Sequence, residues 1–386
     1  MYLRSSKEPH HHKRFRLRLW LLIALAYATT GLAQLRQGHA LPFIDPVPTP
    51  LLTPTPSTIL LAEELLQRGD LYWYQGNQTA ARESYQEAVA ADPTLAIAYA
   101  RWGLLLTLQL KHDEALIRTR RAVELSPSDP EILMIHGMAL EWAGEISEAI
   151  QYINQALELN PNNATAHAFL AEAYIDSNRP DEALIKAQYA IELEPENMWA
   201  WRNLGYVYEN LGQYDKALES YQQALAIQPL SSIYMSLGRN EFVKVGADFQ
   251  QALNYFRSAT EVDPRNPQVY AELGRAYWLL EDYDTAITIL QTGIAQDPTF
   301  GVNYAYLGYV YFNQQNFEQA IVQLQQAITF GYSPEAVYYH LGLSLAFVEE
   351  CDKAVGWLQR ALELNPDSVP AQNGMKLCVT DPTIAP

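Results

Sequence analysis

The sequence predicts an all-α fold built as a solenoid of nine helix pairs, and three observations carry that reading. Prolines recur at Pro93, Pro127, Pro161, Pro195 and Pro229, each 34 residues after the last, and continue at Pro264, Pro298 and Pro366. Small residues keep the same step at Gly69, Gly103, Gly137, Ala171, Gly205, Gly238, Gly274, Gly308 and Gly342. A second series, Ala81, Ala115, Ala149, Ala183, Ala217, Ala252, Ala286, Ala320 and Ala354, lies 12 to 14 residues behind the first. Two small residues per period are what two helices need to cross closely, and a proline per period is what ends the second helix.

Residues 198–231 are the clearest copy. Trp201, Leu204 and Tyr208 recur at helical spacing and make one apolar face. Leu211-Gly212-Gln213 interrupts the pattern between the helices, and Pro229 closes the second one. The order Trp201-x-x-Leu204-Gly205-x-x-Tyr208, then Ala217, Tyr221, Ala224 and Pro229, resembles the tetratricopeptide repeat (TPR), a unit of about 34 residues. The resemblance covers residues 62–368 and implies a right-handed superhelix that binds protein partners on the concave face lined by first helices. The units run 62–95, 96–129, 130–163, 164–197, 198–230, 231–266, 267–300, 301–334 and 335–368. The sixth departs from the pattern: Leu237-Gly238 comes one residue early and the turn VKVGADFQ is two residues longer. Either the array kinks there or a surface loop absorbs the insertion.

Residues 1–28 read as a secretory signal, cleaved or retained as an anchor. A basic head (Arg4, Lys7, Lys13, Arg14, Arg16 and Arg18) precedes an apolar run from Leu19 to Ala28 that is shorter than a membrane span of about 20 residues. Residues 29–57 form a proline-rich linker, either an extended spacer or a disordered tail. The array is expected over 58–368, with a capping helix and tail over 369–386. A capping helix would bring Cys378 close to Cys351; in an oxidising compartment the pair suits a disulfide, and two buried thiols is the other reading.

The formal charge of −18 argues against a nucleic-acid partner, since phosphates would be repelled. No nucleophile elbow, metalloprotease helix, phosphate loop or dinucleotide glycine pattern appears, so no enzyme is expected. His136 and His167 read as core or interface groups rather than ligands. The concave positions of the template unit are Trp199, Arg202, Tyr206 and Glu209. Their equivalents make the groove acidic towards the N-terminus, with Glu63, Asp70, Glu131, Glu141, Glu172 and Asp176 beside Trp73. Further on it becomes aromatic and basic, through Arg239, Arg275, Trp278, Tyr309, Phe312 and Tyr339. Arginine beside aromatic rings suits an extended peptide or a chain terminus; arginines paired to local acids are the plainer reading. Glu141, Glu172 and Asp176 come from adjoining first helices and could take a hard divalent cation, or form a solvated acidic face.

An exported array of nine units is similar in architecture to periplasmic TPR factors that assist photosystem II assembly in cyanobacteria. That similarity implies the C-terminus of the reaction-centre precursor as partner, manganese as cargo rather than cofactor, and membrane association through the partner or an uncleaved anchor. A general envelope scaffold for secretion or cell-wall assembly, or a divalent-metal carrier, are the alternatives.

Overall fold

The computed structural model describes residues 56–379; the leader and most of the proline-rich linker lie outside them. The described residues form nineteen helices and no strand. They fall into nine antiparallel pairs: α1 (Pro56–Tyr74) with α2 (Gln78–Ala91), α3 (Ala96–Leu108) with α4 (His112–Leu125), and α5 (Pro130–Trp142) with α6 (Ile146–Leu159). Then follow α7 (Ala164–Asp176) with α8 (Pro180–Leu193), α9 (Met198–Asn210) with α10 (Tyr214–Ile227), and α11 (Ser231–Val243) with α12 (Phe249–Val262). The array ends with α13 (Pro267–Leu279) and α14 (Tyr283–Gln296), α15 (Gly301–Asn313) and α16 (Phe317–Thr329), α17 (Glu335–Phe347) and α18 (Cys351–Leu364), capped by α19 (Val369–Val379). None of these helices is long and apolar enough to cross a membrane.

Each pair repeats one packing. The small residue of the first helix lets the second lie against it: a Cβ on Gly205 would sit 2.9 Å from the Tyr221 ring. First helices are capped where a short polar side chain precedes them, as at Asn163, which accepts from the Ala166 N–H at 3.0 Å, and Asn197, which accepts from Trp199 at 3.0 Å. The turn inside each pair places one residue in the left-handed region, with glycine there in four of the nine units and Leu110, Asn178, Glu281, Gln315 and Glu349 in the other five.

In the sixth unit α11 and α12 keep the 13 and 14 residues of their counterparts. The missing residue comes out of the linker before α11 and the extra ones go into the turn after it, where Val245 is fully exposed. The insertion is thus carried by surface backbone, which pays little for added length.

The array winds back upon itself, a feature with no counterpart in the repeat pattern. The turn of the first unit docks against the linkers after α10 and α12. Gln228 Nε2 donates to the Trp73 carbonyl at 2.6 Å, and Thr79 Oγ1 donates to Asp263 Oδ1 at 2.8 Å, both residues buried. Arg265 pairs with Glu83 at 2.9 Å, and Lys111 reaches Asp297 at 3.4 Å. Inside this seam Trp73 stacks on Trp199, ring centroids 6.0 Å apart.

Asp263 makes the seam sensitive to pH. Burial pushes its carboxyl up to about 6, against the opposing pull of Thr79 and the neighbouring arginines. A raised carboxyl pKa stabilises the folded state only while the group is protonated, so its contribution is full below the ordinary value and lost as pH rises through about 6. Asp263→Asn keeps the acceptor for Thr79 without the buried charge. It should stabilise the protein by on the order of 2 kcal/mol at pH 7.5 and leave stability unchanged at pH 4, read by urea unfolding at the two pH values.

At the other end Cys351 and Cys378 are joined by a disulfide across a separation of 27 residues, with Cα atoms 5.3 Å apart. It ties α19 over the apolar side of α17 and α18, where Leu358, Ala361, Leu341 and Ala371 are buried. Replacing both cysteines by serine should cost roughly 3 kcal/mol through the freed loop. In a repeat array that loss stays local, so amide exchange should speed up in α17–α19 while the first six units keep their protection.

Candidate partner-binding surface

The inner face is lined by the first helices, and its charges are committed to one another. On the first three units Arg101 lies between Asp70 at 2.6 Å and Glu131 at 3.0 Å, and Asp70 also accepts from the Tyr85 hydroxyl. The next cluster gathers the three carboxylates that the sequence offers to a cation. Glu172 and Glu141 are almost fully buried. Glu172 accepts from the Trp142 indole N–H at 3.1 Å and pairs with Arg202, and Asp176 accepts from Tyr206 at 3.0 Å. Burial, then the charge on Glu172, then a hydrogen bond to Asp176 raise the Glu141 carboxyl well above its ordinary range. Burial works against the Arg202 charge, but the adjacent Glu172 more than restores it. Glu141, Glu172 and Asp176 do come together, but Arg202 pairs with Glu172 and Tyr206 donates to Asp176. Among the described residues no group of three His, Cys, Asp or Glu is arranged to hold a metal ion.

Arg239 and Arg275 converge on Glu272, at 3.2 and 2.9 Å, and their charges hold its carboxyl below the ordinary value despite burial. The three arginines of the basic stretch are therefore bound to acids of this chain, and the picture of a separate basic groove is corrected accordingly. Glu209 and Tyr309 also move from groove to core. Glu209 accepts from Tyr221 at 2.8 Å and Asn240 at 2.7 Å, and both it and Tyr309 are buried. Trp199 is taken up by Trp73 and by Phe169, 5.1 Å away. Tyr206 spends its hydroxyl on Asp176.

The aromatic part of the expected groove does assemble. Trp278 lies 5.6 Å from Tyr309 and 6.2 Å from Tyr306. Tyr309 leans on His340 at 4.5 Å, and Phe312 and Tyr339 contact the same imidazole at 4.8 and 4.3 Å. Burial lowers His340 to about 4, so it is neutral, and its Nδ1 lies 2.7 Å from the Ala336 carbonyl. Trp278, Tyr306, Phe312 and Tyr339 are half-buried, leaving an aromatic surface open on units seven to nine. Tyr332, from the linker after α16, packs over Gly301 and completes it. Sequence reasoning missed Tyr306, Tyr332, Glu272 and Arg101. Tyr306 and Glu272 each lie three residues before Tyr309 and Arg275, on the same helical face. Tyr332 occupies the one linker position where the proline is skipped. His136 and His167 sit in the core: Nδ1 of His136 lies 2.8 Å from Thr119 Oγ1, and Nε2 of His167 2.9 Å from the Pro161 carbonyl.

Three models of the tetratricopeptide repeat match the chain, one over residues 199–229, one over 143–185 and 247–307, and one over 66–130. No curated protein sequence matches it. Among solved structures, a chain of the crystal structure of the APC/C hetero-tetramer Cut9-Hcn1 aligns over 83% of this chain and 76% of its own length, with a TM-score of 0.55 and 18% sequence identity. At that identity the likeness concerns the fold.

Proposed function

The chain belongs to the tetratricopeptide repeat family, and from that premise we propose that it is a non-catalytic scaffold that binds an extended protein segment on the inner face of units seven to nine. The observation that carries the reading is the half-exposed aromatic cluster of Trp278, Tyr306, Phe312 and Tyr339. Rings of this kind supply the anchor area that interfaces concentrate in a few residues. The inner face of the first six units is less suited, because the seam and the ion pairs of Arg101 and Arg202 already occupy its polar groups.

The leader supports a site of action outside the cytoplasm, and within that setting the photosystem II reaction-centre precursor is the partner that the architecture favours. Manganese fits less well: the acidic cluster that would take it already holds Arg202, paired to Glu172, and burial raises its Glu141 carboxyl well above the ordinary range. Affinity capture from membrane extracts tests the reading. The wild-type protein should retain a partner that Phe312→Ala with Tyr339→Ala releases while helicity is unchanged. Equal capture by both would remove the surface from units seven to nine.

A further inference from the structure

The seam that closes the array also encloses a cavity. Its volume is about 180 Å³, below the range of about 300–1,000 Å³ typical of drug-sized ligands. Its walls come from opposite ends of the closure. Arg82 and Glu83 on α2, with Gln109 and Lys111 in the turn after α3, form one side; Arg265 and Asp297, in the linkers after α12 and α14, form the other. Three cations from three segments therefore face one space. Two of them bridge the seam: Arg265 holds Glu83 at 2.9 and 3.3 Å, and Lys111 reaches Asp297 at 3.4 Å. Arg82 has no such acid. Its Nη1 donates to Gln109 Oε1 at 2.6 Å, its Nη2 makes no hydrogen bond, and among the described residues no carboxylate lies within ion-pair distance of it.

The acid that feels the Arg82 charge is Asp263, which is buried and already accepts from Thr79. The other titratable or charged groups facing it are Arg265, in the same linker, and the Tyr270 phenol on α13. Burial pushes the Asp263 carboxyl up to about 6, so below that pH it is neutral. The cavity then carries three cations against Glu83 and Asp297, and the guanidinium left over is that of Arg82. An oxyanion supplies the missing charge, and a guanidinium binds one through paired N–H donors. Gln109 turns its oxygen to Arg82, which leaves its amide N–H groups as neutral donors beside the same place. The volume suits a free ion with a few waters.

We infer that this cavity binds a small inorganic oxyanion of the sulfate or phosphate class, held by Arg82 with Gln109 and Lys111, and that the bound anion locks the array closed. The walls belong to units one and two on one side and six and seven on the other, so the site exists only while the seam is shut. A ligand that binds the closed form and not the open one stabilises closure as its site fills. Ionised Asp263 competes with the anion for Arg82, so affinity falls as pH rises through about 6.

The test uses the full chain and sodium sulfate, whose charge does not change between pH 5 and pH 8, with sodium chloride at matched ionic strength as the control for screening. Calorimetry at pH 5 should show saturable binding of sulfate and none of chloride. Sulfate should also slow amide exchange in α2 and in the linker after α12. Affinity should fall at least threefold at pH 8. Arg82→Gln should weaken sulfate by about tenfold. Lys111→Gln should weaken it by about threefold, and decides the matter if Arg82→Gln does not fold. Gly76→Ala, whose added methyl meets the Pro229 carbonyl and opens the seam, should abolish binding. No saturable sulfate binding, or an affinity unchanged in the charge variants, at pH 8 or in Gly76→Ala, overturns the inference. The partner surface on units seven to nine is read by the capture experiment and stands or falls separately.

Discussion

Arg202→Glu is expected to unfold the middle of the array instead of merely altering a groove. In the repeat pattern Arg202 is a concave surface residue, and reversing its charge there would leave the helices intact. In the structure its guanidinium pairs with Glu172 beside Glu141 and Asp176, and both glutamates are nearly inaccessible to water. A glutamate would add a fourth carboxyl to that cluster and remove the guanidinium that opposes the effect of burial on Glu172. Losing one partner of a buried pair costs about 3–5 kcal/mol, and the new like charge adds to it. Urea unfolding followed by circular dichroism should show the loss, with units three to five giving way first in amide exchange. Arg202→Met with Glu172→Leu removes both members of the pair. It should recover most of the stability, since an apolar replacement of a buried pair is often neutral. A fold of wild-type stability in Arg202→Glu would show that water reaches the cluster.

The repeats were legible because each unit makes the same short-range contacts. A glycine under an aromatic or aliphatic side chain, an asparagine cap and a proline stop all act within 34 residues, and every copy repeats the signal. The inner-face ion pairs were half legible. Arg202 reaches Glu172 and Arg239 reaches Glu272 across 30 and 33 residues, one unit away, so their partners could be found by stepping one period along the same face. Helical phase says which face a residue is on but not what it meets there. Phase alone therefore puts Glu209 and Tyr309 in a groove, although in the structure both are buried. The seam was not legible at all. Thr79 and Asp263 lie 184 residues apart, and whether they touch depends on small rotations between units accumulated over five of them. No local pattern records that sum.

Gly76→Ala tests the seam, and its effect should be large because two penalties coincide at one residue. Gly76 has φ of +79°, where a Cβ costs about 1 kcal/mol. The added methyl would also lie 2.1 Å from the Pro229 carbonyl oxygen and 3.0 Å from Val262. The first of these is backbone and cannot swing aside, so the first unit must lift off the linker after α10. Lifting it breaks the bond from Gln228 to Trp73, the buried pair of Thr79 and Asp263, and the stack of Trp73 on Trp199. Gly212 provides the control. It occupies the same place in the turn of the fifth unit, with φ of +71°, and nothing lies within 4 Å of its would-be Cβ. Gly212→Ala should therefore cost only the backbone term of about 1 kcal/mol. Gly76→Ala should cost that much again several times over, on the order of 4 kcal/mol for a contact set of this kind. The Trp73 and Trp199 fluorescence should shift to the red in Gly76→Ala alone as the stacked rings meet water. Equal stabilities for the two variants would mean that the array is open in solution. The first six units would then present their own inner face to partners, and the restriction of binding to units seven to nine would fall with the seam.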